Sequence, residues 1–292
     1  MFLFPPISSS QGKRGKFDVR SRKIDRKLKA IYRDKKSGAS VLTTKLFAVL
    51  IDAIEEVDSV GDFDSFLISI GVELRKHHPL LFQLRNLIDI VHGFSKEVRD
   101  KEEILSEILS LRERFENSAS RVAEGFRQFL SERGKVSIAT LSHSGTVFNS
   151  LVKARDFINE VYVFRSCPRC EGEKMADLLF KSGFNVSVVN DFGLSYVVKK
   201  VDLVVTGCDA VFEDGSILNK AGTLPLFILA KNFKKVSVVL ADFLKFVNKR
   251  VNFDEIFKDA VELKSKGKVK ELSLLFEIVD GAFITHYITN KS

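Results

Sequence analysis

Residues 136–146 read Val-Ser-Ile-Ala-Thr-Leu-Ser-His-Ser-Gly-Thr, an apolar run with β-branched residues that ends in hydroxyls and a glycine. Similar apolar runs recur at 161–164 (VYVF), 186–189 (VSVV), 203–206 (LVVT) and 236–240 (VSVVL). Helical patterns separate them, at 146–155, 171–182, 192–199 and 223–233. Apolar strands that alternate with helices are typical of a parallel sheet covered on both faces. The pattern therefore predicts an α/β domain over residues 133–292.

Upstream of this domain the hydrophobic period is that of helices. Between residues 40 and 132 apolar residues recur at intervals of three and four, which predicts four or five helices, the last of them about thirty residues long. Pro79 is placed to open one helix, and Ser95 to cap the N-terminus of the long one. We therefore expect a helical domain over residues 37–132.

The positive charge of the chain is concentrated near its N-terminus. The 292 residues carry a formal net charge of +8. Residues 1–40 contain twelve Lys and Arg and three Asp, so the remaining 252 residues, with 34 basic and 35 acidic groups, are close to neutral. Residues 1–36 form a basic arm, which either attracts RNA or an acidic or phosphorylated partner, or serves only as a solvated tail. Helical spacing of the arm's apolar residues predicts a helix with one thin apolar face, formed by Ile24, Leu28, Ile31 and Tyr32.

The composition excludes several classes of protein. With 45% hydrophobic and 29% charged residues the chain is typical of globular proteins, and no apolar run approaches the roughly 18 residues that a membrane span needs. Three cysteines argue against a disulfide scaffold and favour a reducing cytoplasm. Cys167 and Cys170 form a Cys-x-x-Cys motif, which with the distant Cys208 falls short of four zinc ligands, so structural cysteines or a redox pair are the alternatives. G-x-G-x-x-G and P-loop motifs are missing from the sequence, so a dinucleotide or triphosphate enzyme of those types is not supported. We expect no metal and no cofactor.

Hydroxyl and glycine residues follow the first predicted strand, at the edge where parallel sheets bind their ligands. Backbone N–H groups and the helix dipole favour a phosphate at such a strand-to-helix turn. The residues concerned are Ser144, Gly145 and Thr146. They are also ordinary capping residues, so a phosphate site and a plain helix cap both remain open.

A second polar group follows the strand predicted at 203–206. Asp209 comes just after this strand, and Asn219 and Lys220 lie beside the glycine-rich stretch 221–223. A carboxylate, an amide and an ammonium that converge there would orient a polyol phosphate. A capping aspartate and a surface lysine are the alternative interpretation.

These motifs belong to one ordered set. It comprises 138–147 (IATLSHSGTV), 167–172 (CPRCEG), 205–211 (VTGCDAV), Asp214-Gly215, Asn219-Lys220, Gly222-Thr223 and 241–246 (ADFLKF), with Ser37-Gly38-Ala39-Ser40 and 79–86 (PLLFQLRN) in the N-terminal half. The set resembles the superfamily of translation initiation factor 2B alpha, beta and delta subunits, which also contains ribose-1,5-bisphosphate and methylthioribose-1-phosphate isomerases. The resemblance implies a helical domain, a Rossmann-like domain after it, and dimers formed through the latter.

The resemblance also implies site residues, and the chain departs from the isomerases at several of them. Ser142 stands where the isomerases have a catalytic cysteine, while their aspartate is kept as Asp209. Asn219, Lys220 and Lys245 match the isomerase phosphate-binding residues. A serine hydroxyl is un-ionised near neutral pH, whereas a thiol is a few per cent thiolate, so Ser142 would need a neighbouring base.

Three arginine positions of the isomerases are also changed. Ser37 replaces the first residue of an Arg-Gly-Ala loop whose other residues are kept as Gly38 and Ala39, and His78 and Cys167 replace two arginines that precede prolines. These changes remove bidentate phosphate contacts that histidine or serine does not restore. Together with Ser142 they favour a protein without isomerase turnover.

We therefore expect a cytoplasmic regulatory or scaffold relative of the initiation factor 2B subunits, with a vestigial or sensory pocket for a nucleotide or sugar phosphate. Its expected partners are a second copy or related subunits, and initiation factor 2 or RNA through the basic arm, with no membrane. No catalytic residue is expected, and the expected ligand residues are Ser37, Gly38, Ala39, Ser144, Gly145, Thr146, Asn219, Lys220 and Lys245. The alternative is an aldose–ketose isomerase of ribose 1,5-bisphosphate or methylthioribose 1-phosphate that uses Asp209 and a substituted base.

Overall fold

The computed structural model describes residues 21–35, 37–98, 100–247, 258 and 260–290. Residues 1–20 and Lys36 of the predicted basic arm lie outside this part of the chain. The chain divides into two compact units, Met1–Glu116 and Asn117–Ser292. No helix in the described ranges is long and apolar enough to cross a membrane.

The first unit is helical, as its apolar period predicts. Its helices are α1 (Arg22–Arg33), α2 (Ala39–Glu56), α3 (Val60–His77), α4 (Phe82–Glu97) and α5 (Lys101–Ser131), the last of which continues into the second unit. The described residues between 40 and 132 thus form four helices, and the last has 31 residues. Ser95 does not cap α5, because it lies inside α4, where its hydroxyl donates to the His92 carbonyl as an interior residue of that helix.

Helix α1 has the thin apolar face that the sequence predicts. Its four apolar residues, Ile24, Leu28, Ile31 and Tyr32, are buried, and α1 packs on α2 and α3. Lys23 and Lys27 on its flank donate to Asp52 of α2, at 3.2 and 2.5 Å. The C-terminal part of the predicted arm is therefore a packed helix, with its other charged residues on the outer face.

The second unit alternates strands and helices after the end of α5. In chain order its elements are β1 (Val136–Leu141), α6 (Gly145–Lys153), β2 (Ile158–Phe164), α7 (Glu171–Lys181), β3 (Val186–Val189), α8 (Leu194–Lys200), β4 (Leu203–Thr206), β5 (Ala210–Phe212), β6 (Ile217–Lys220), α9 (Thr223–Asn232), β7 (Val236–Ala241), β8 (Phe246–Val247), β9 (Val261–Lys266), β10 (Val269–Leu274), β11 (Phe276–Val279) and β12 (His286–Thr289). The five predicted strands and the four predicted helices are all present.

Six strands form one parallel sheet, in the order β12-β7-β4-β1-β2-β3. Alternate residues of a strand point to opposite faces, and both faces are covered. Ile138 of β1 packs into a core with α6, α7 and the end of α5, whereas its neighbour Ala139 packs into a second core with α8 and α9. This is the α/β architecture that the near-continuous apolar strands predict.

A smaller sheet lies beside the carboxyl edge of the large one. Its order is β11-β6-β5-β8, and β9 pairs only with β10 in a separate hairpin. β5 follows β4 after three residues, and β8 follows the turn at the end of β7. The small sheet therefore brings β6 next to the strand ends where a ligand site was predicted.

Candidate functional site at the carboxyl edge of the sheet

The first loop of the site connects β1 to α6. Ser142 has a φ of +59°, in the left-handed region that costs a residue with a side chain strain energy. Ser144 is the N-cap of α6, and its hydroxyl accepts a hydrogen bond from the Val147 N–H at 3.4 Å. Gly207, at the end of β4, passes so close that a Cβ there would lie 2.6 Å from the Ser144 Oγ. The loop is thus fixed by its own cap and by the neighbouring strand end.

The second loop connects β2 to α7 and is held by Asp191. The Asp191 carboxylate accepts hydrogen bonds from the N–H groups of Ser166 and Cys167, at 2.7 and 2.8 Å. Ser166 and Cys170 adopt positive φ, of 59° and 51°. Two charge-assisted hydrogen bonds therefore stabilise a loop with two unfavourable backbone conformations.

The cysteines of the Cys-x-x-Cys motif form a disulfide in this second loop. Cys167 and Cys170 are bonded to each other. From the sequence, structural cysteines and a redox pair remained open for this motif, and the bond was not predicted. Cys208 is free and buried, and burial raises the pKa of its thiol to about 12. Within the described residues no group of His, Cys, Asp and Glu side chains is arranged to hold a metal ion.

Glu171 and Lys220 form the central ion pair of the site. Lys220 ends β6, and its Nζ donates to the Glu171 Oε1 at 2.6 Å. The Lys220 side chain is only 10% exposed and lies over the Phe276 ring, while Glu171, the first residue of α7, is 31% exposed. The predicted phosphate ligand Lys220 is therefore already paired with an acidic side chain.

Asn219, beside Lys220, supports the neighbouring helix. Its amide donates to the Thr223 Oγ1 at 2.9 Å, and Thr223 donates in turn to the Lys220 carbonyl. Glu277 of β11 accepts hydrogen bonds from the Gly222 and Leu224 N–H groups, at 2.6 and 2.8 Å. The N-terminus of α9 is thus already bound to a carboxylate of the protein.

Asp209 lies beyond the end of β4, where the charges of Lys245 and Lys220 act on it. Removal from solvent raises the pKa of Asp209, although the nearby charges of Lys245 and Lys220 oppose this shift. Lys245 is itself buried, and its Nζ is 3.9 Å from the buried Asp242 carboxylate. Burial lowers the pKa of Lys245, but Asp242, Cys208 and Asp209 outweigh this effect and raise it above its ordinary value. The strand ends thus carry acidic and basic groups together, of which Asp242 and Lys245 are buried.

His143 follows Ser142 in the first loop and is half-buried. Burial and the nearby charge of Lys174 lower the pKa of His143, while Glu171 opposes this shift. The imidazole therefore favours its neutral form. The charges that act on it belong to Lys174 and Glu171 of α7, and within the described residues no hydrogen bond links it to Ser142.

The structure brings together most of the residues predicted for the site. Those in the second unit are Ser142, Ser144, Gly145, Thr146, Asp209, Asn219, Lys220 and Lys245, all at the carboxyl edge of the large sheet or on the adjoining β6. The acidic residues Glu171, Asp242 and Glu277 were missed as site residues, although Glu171 and Asp242 lie inside the motifs that carried the resemblance.

The other predicted residues lie in the first unit, at the start of α2. Gly38 is the N-cap of α2 and Ala39 its first residue. Ser37 donates its N–H and its hydroxyl to the two Asp34 carboxylate oxygens, at 2.9 and 2.7 Å. His78 is buried, its Nε2 lies 2.8 Å from the Ile31 carbonyl, and burial lowers its pKa. Ser37 and His78 therefore have local structural partners in their own unit.

Comparisons with known proteins agree with this architecture. The model of the Initiation factor 2 subunit family matches residues 35–291. A Ribose 1,5-bisphosphate isomerase of Methanocaldococcus jannaschii is 25% identical over 263 residues, which cover 86% of this chain and 82% of that protein. A putative translation initiation factor eIF-2B subunit 2-like protein of Pyrococcus furiosus is 28% identical over 273 residues, which cover 91% and 94%.

Solved structures share the fold. The crystal structure of a Pyrococcus horikoshii OT3 translation initiation factor eIF-2B superposes with a TM-score of 0.80 at 22% identity, over 92% of this chain and 96% of that chain. A chain of the tetrameric eIF2B-beta2-delta2 complex from C. thermophilum superposes with a TM-score of 0.76 at 20% identity, over 92% and 91%. Oligomeric complexes therefore occur among proteins of this fold.

Proposed function

The chain belongs to the Initiation factor 2 subunit family, and on this premise we propose that it is a regulatory or scaffold subunit of the initiation factor 2B type with a non-catalytic pocket for a phosphate-bearing ligand. The observation that carries the proposal is Ser142, a serine in the strained first loop with no described hydrogen bond to a base. An un-ionised hydroxyl in this position is a poor nucleophile and a poor base. The retained lysines and the N-terminus of α6 supply the means to bind an anion.

The ligand of this pocket is a sugar phosphate or a nucleotide. Lys220 and Lys245 place two ammonium groups at a site with restricted access to water, where a phosphate that displaces their acidic partners is bound more strongly than on an open surface. A ligand that binds only the folded protein raises its melting temperature. A panel of phosphorylated sugars and nucleosides at millimolar concentration should therefore raise the Tm, and Lys220→Ala should remove the shift. No shift with any member of the panel would contradict a functional pocket.

Isomerase activity is the second candidate, and one observation favours it. The pKa of Asp209 is raised, which is typical of carboxyl groups that exchange protons with a substrate. Asp209 also lies among lysines that would hold a sugar phosphate near it. Under this candidate the protein converts ribose 1,5-bisphosphate or methylthioribose 1-phosphate, and Asp209→Ala abolishes the conversion.

The outer face of α1 provides a docking surface for the proposed partners. Four exposed cations, Arg22, Arg26, Lys29 and Arg33, recur there at helical spacing and, with Asp25 and Ala30, line a groove of about 470 Å³. Such a cationic stripe fits initiation factor 2 or RNA, which present acidic side chains or phosphates. In the proposed role the chain also forms dimers or assembles with related subunits.

Substitution of the stripe tests the docking proposal better than removal of the whole arm, because truncation into α1 would delete the buried Ile24 and Leu28. A variant with all four stripe cations changed to Gln should bind an RNA oligonucleotide or initiation factor 2 more weakly. Wild-type binding should fall steeply with salt. A matched variant neutralises Lys153, Lys181, Lys264 and Lys270 in the second unit. Equal loss of binding in both variants would refute a specific stripe.

A further inference from the structure

The ion pair of Lys220 with Glu171 determines how an anion enters the proposed pocket. Lys220 is nearly buried and reaches Glu171 at 2.6 Å, so its positive charge is neutralised within the protein. Because Glu171 occupies a donor of the Lys220 Nζ and offsets its charge, a phosphate that binds this Nζ competes with the Glu171 carboxylate. Binding at this lysine is therefore an exchange of one anion for another.

The Glu171 carboxylate is incompletely satisfied in its present position. Its Oε1 accepts from Lys220, but its Oε2 is buried and accepts no hydrogen bond from any described residue. A buried acceptor without a donor is costly. Displacement of Glu171 thus gives up one ion pair but relieves this cost.

Glu171 has a route out of the pocket. It is the first residue of α7 and its side chain is 31% exposed, so rotation takes it towards solvent. Lys174 lies three residues further along α7, where it neighbours Glu171 on the helix surface and can attract the displaced carboxylate.

We propose that Glu171 is a built-in competitor for the ligand anion at Lys220, and that it makes the pocket selective for phosphate esters over carboxylates. This inference rests on the proposed phosphate pocket. A phosphomonoester carries a charge of about −1.5 to −2 near pH 7 and has three strong acceptor oxygens. It gains more from Lys220 and the neighbouring Lys245 than the single charge of Glu171 does. A carboxylate ligand only exchanges its own carboxylate for that of Glu171 at Lys220, so little binding free energy is gained.

The test compares two pentose-derived anions, the phosphate ester ribose 5-phosphate and the carboxylate ribonate, by isothermal titration calorimetry of the full chain. Wild-type protein should bind ribose 5-phosphate and show no measurable heat with ribonate. Glu171→Gln should bind ribose 5-phosphate about tenfold more tightly, the effect of removing one competing, partly buried ion pair, and should also bind ribonate. Glu171→Ala should behave in the same way, and each variant's melting temperature without ligand establishes that it folds.

Glu173→Gln is the matched control, since Glu173 lies two residues further along α7 and pairs with Arg165 at 3.1 Å, away from Lys220. It should leave both affinities unchanged. If wild-type protein binds ribose 5-phosphate and Glu171→Gln binds it no more tightly, the competitor role is refuted while the pocket stands. If neither wild type nor either Glu171 variant binds ribose 5-phosphate, the pocket itself is refuted and the competitor role with it.

Discussion

Gly172 is the position at which a single methyl group should do most damage to the site. A Cβ on Gly172 would lie 2.0 Å from the Phe164 carbonyl oxygen, 2.9 Å from the Phe164 carbonyl carbon and 3.0 Å from the Arg165 carbonyl oxygen. All three atoms are backbone, at the end of β2, so no side-chain rotation can relieve the contact. Gly172→Ala must therefore push α7 away from the strand, and Glu171 moves with it.

The expected cost follows from the size of this clash. Overpacking of a close-packed region costs about 1–3 kcal/mol, and a backbone contact of 2.0 Å belongs at the upper end of that range. A loss of about 3 kcal/mol corresponds to a decrease in Tm of about 6–12 °C for a domain of this size. Differential scanning calorimetry without ligand measures the change directly.

Gly145→Ala is the control in the same unit. A Cβ on Gly145 would meet no atom within 4 Å, and Gly145 is the first residue of α6, where alanine favours the helix. Its Tm should equal or slightly exceed that of the wild type. If Gly172→Ala lowers the Tm no more than Gly145→Ala does, the close approach of α7 to the end of β2 is refuted.

Two further predictions concern carboxyl groups whose pKa depends on the fold. Hydrogen bonds from the Ser216 hydroxyl and N–H lower the pKa of Asp214, so the stabilisation they give is present above pH 3.8 and is lost as the pH falls through the lower folded pKa. Ser216→Ala should therefore destabilise the protein by about 0.5–1 kcal/mol at pH 7, a value kept small because Asp214 is exposed to solvent. Urea unfolding should show this difference shrinking below pH 3.8, and a difference that grows in acid would contradict the assignment. Burial raises the pKa of Glu277 above its ordinary value of 4.5, so the folded state retains this proton to higher pH than the unfolded chain does. Wild-type stability should therefore fall relative to Glu277→Gln as the pH rises from 4.5. A constant difference between the two proteins from about pH 4 to pH 7 would show that Glu277 does not titrate differently in the folded state.

The large sheet could be predicted because its strands are buried on both faces. A run such as Val136–Leu141 is apolar at nearly every position, and helices separate it from the next run, so type and order of the elements follow from local sequence. β12 and the small sheet could not be predicted in this way. β5, β6, β8 and β11 have two to four residues each and are defined by pairing with distant segments, which local periodicity does not contain.

The cations of the candidate site and Asp209 were predictable, whereas Glu171, Asp242 and Glu277 were not. Lys220 and Lys245 were named because they lie in the motifs that carry the resemblance and match positions for which it implies phosphate binding. Glu171 stands 49 residues before Lys220, and only the pairing of β6 with its neighbours brings the two together. The positive φ of Ser142 likewise could not be predicted from the sequence, because glycine or asparagine, and not serine, usually indicates the left-handed region.

The central claim is that this pocket binds a phosphate ester without converting it. Phosphorus NMR of ribose 1,5-bisphosphate, and in parallel methylthioribose 1-phosphate, incubated with stoichiometric wild-type protein tests it directly. We predict that both substrates remain unchanged for as long as they do in a sample without protein. Formation of the corresponding ketose phosphate by the wild type, abolished by Asp209→Ala in a protein of unchanged Tm, would contradict the claim and establish the isomerase.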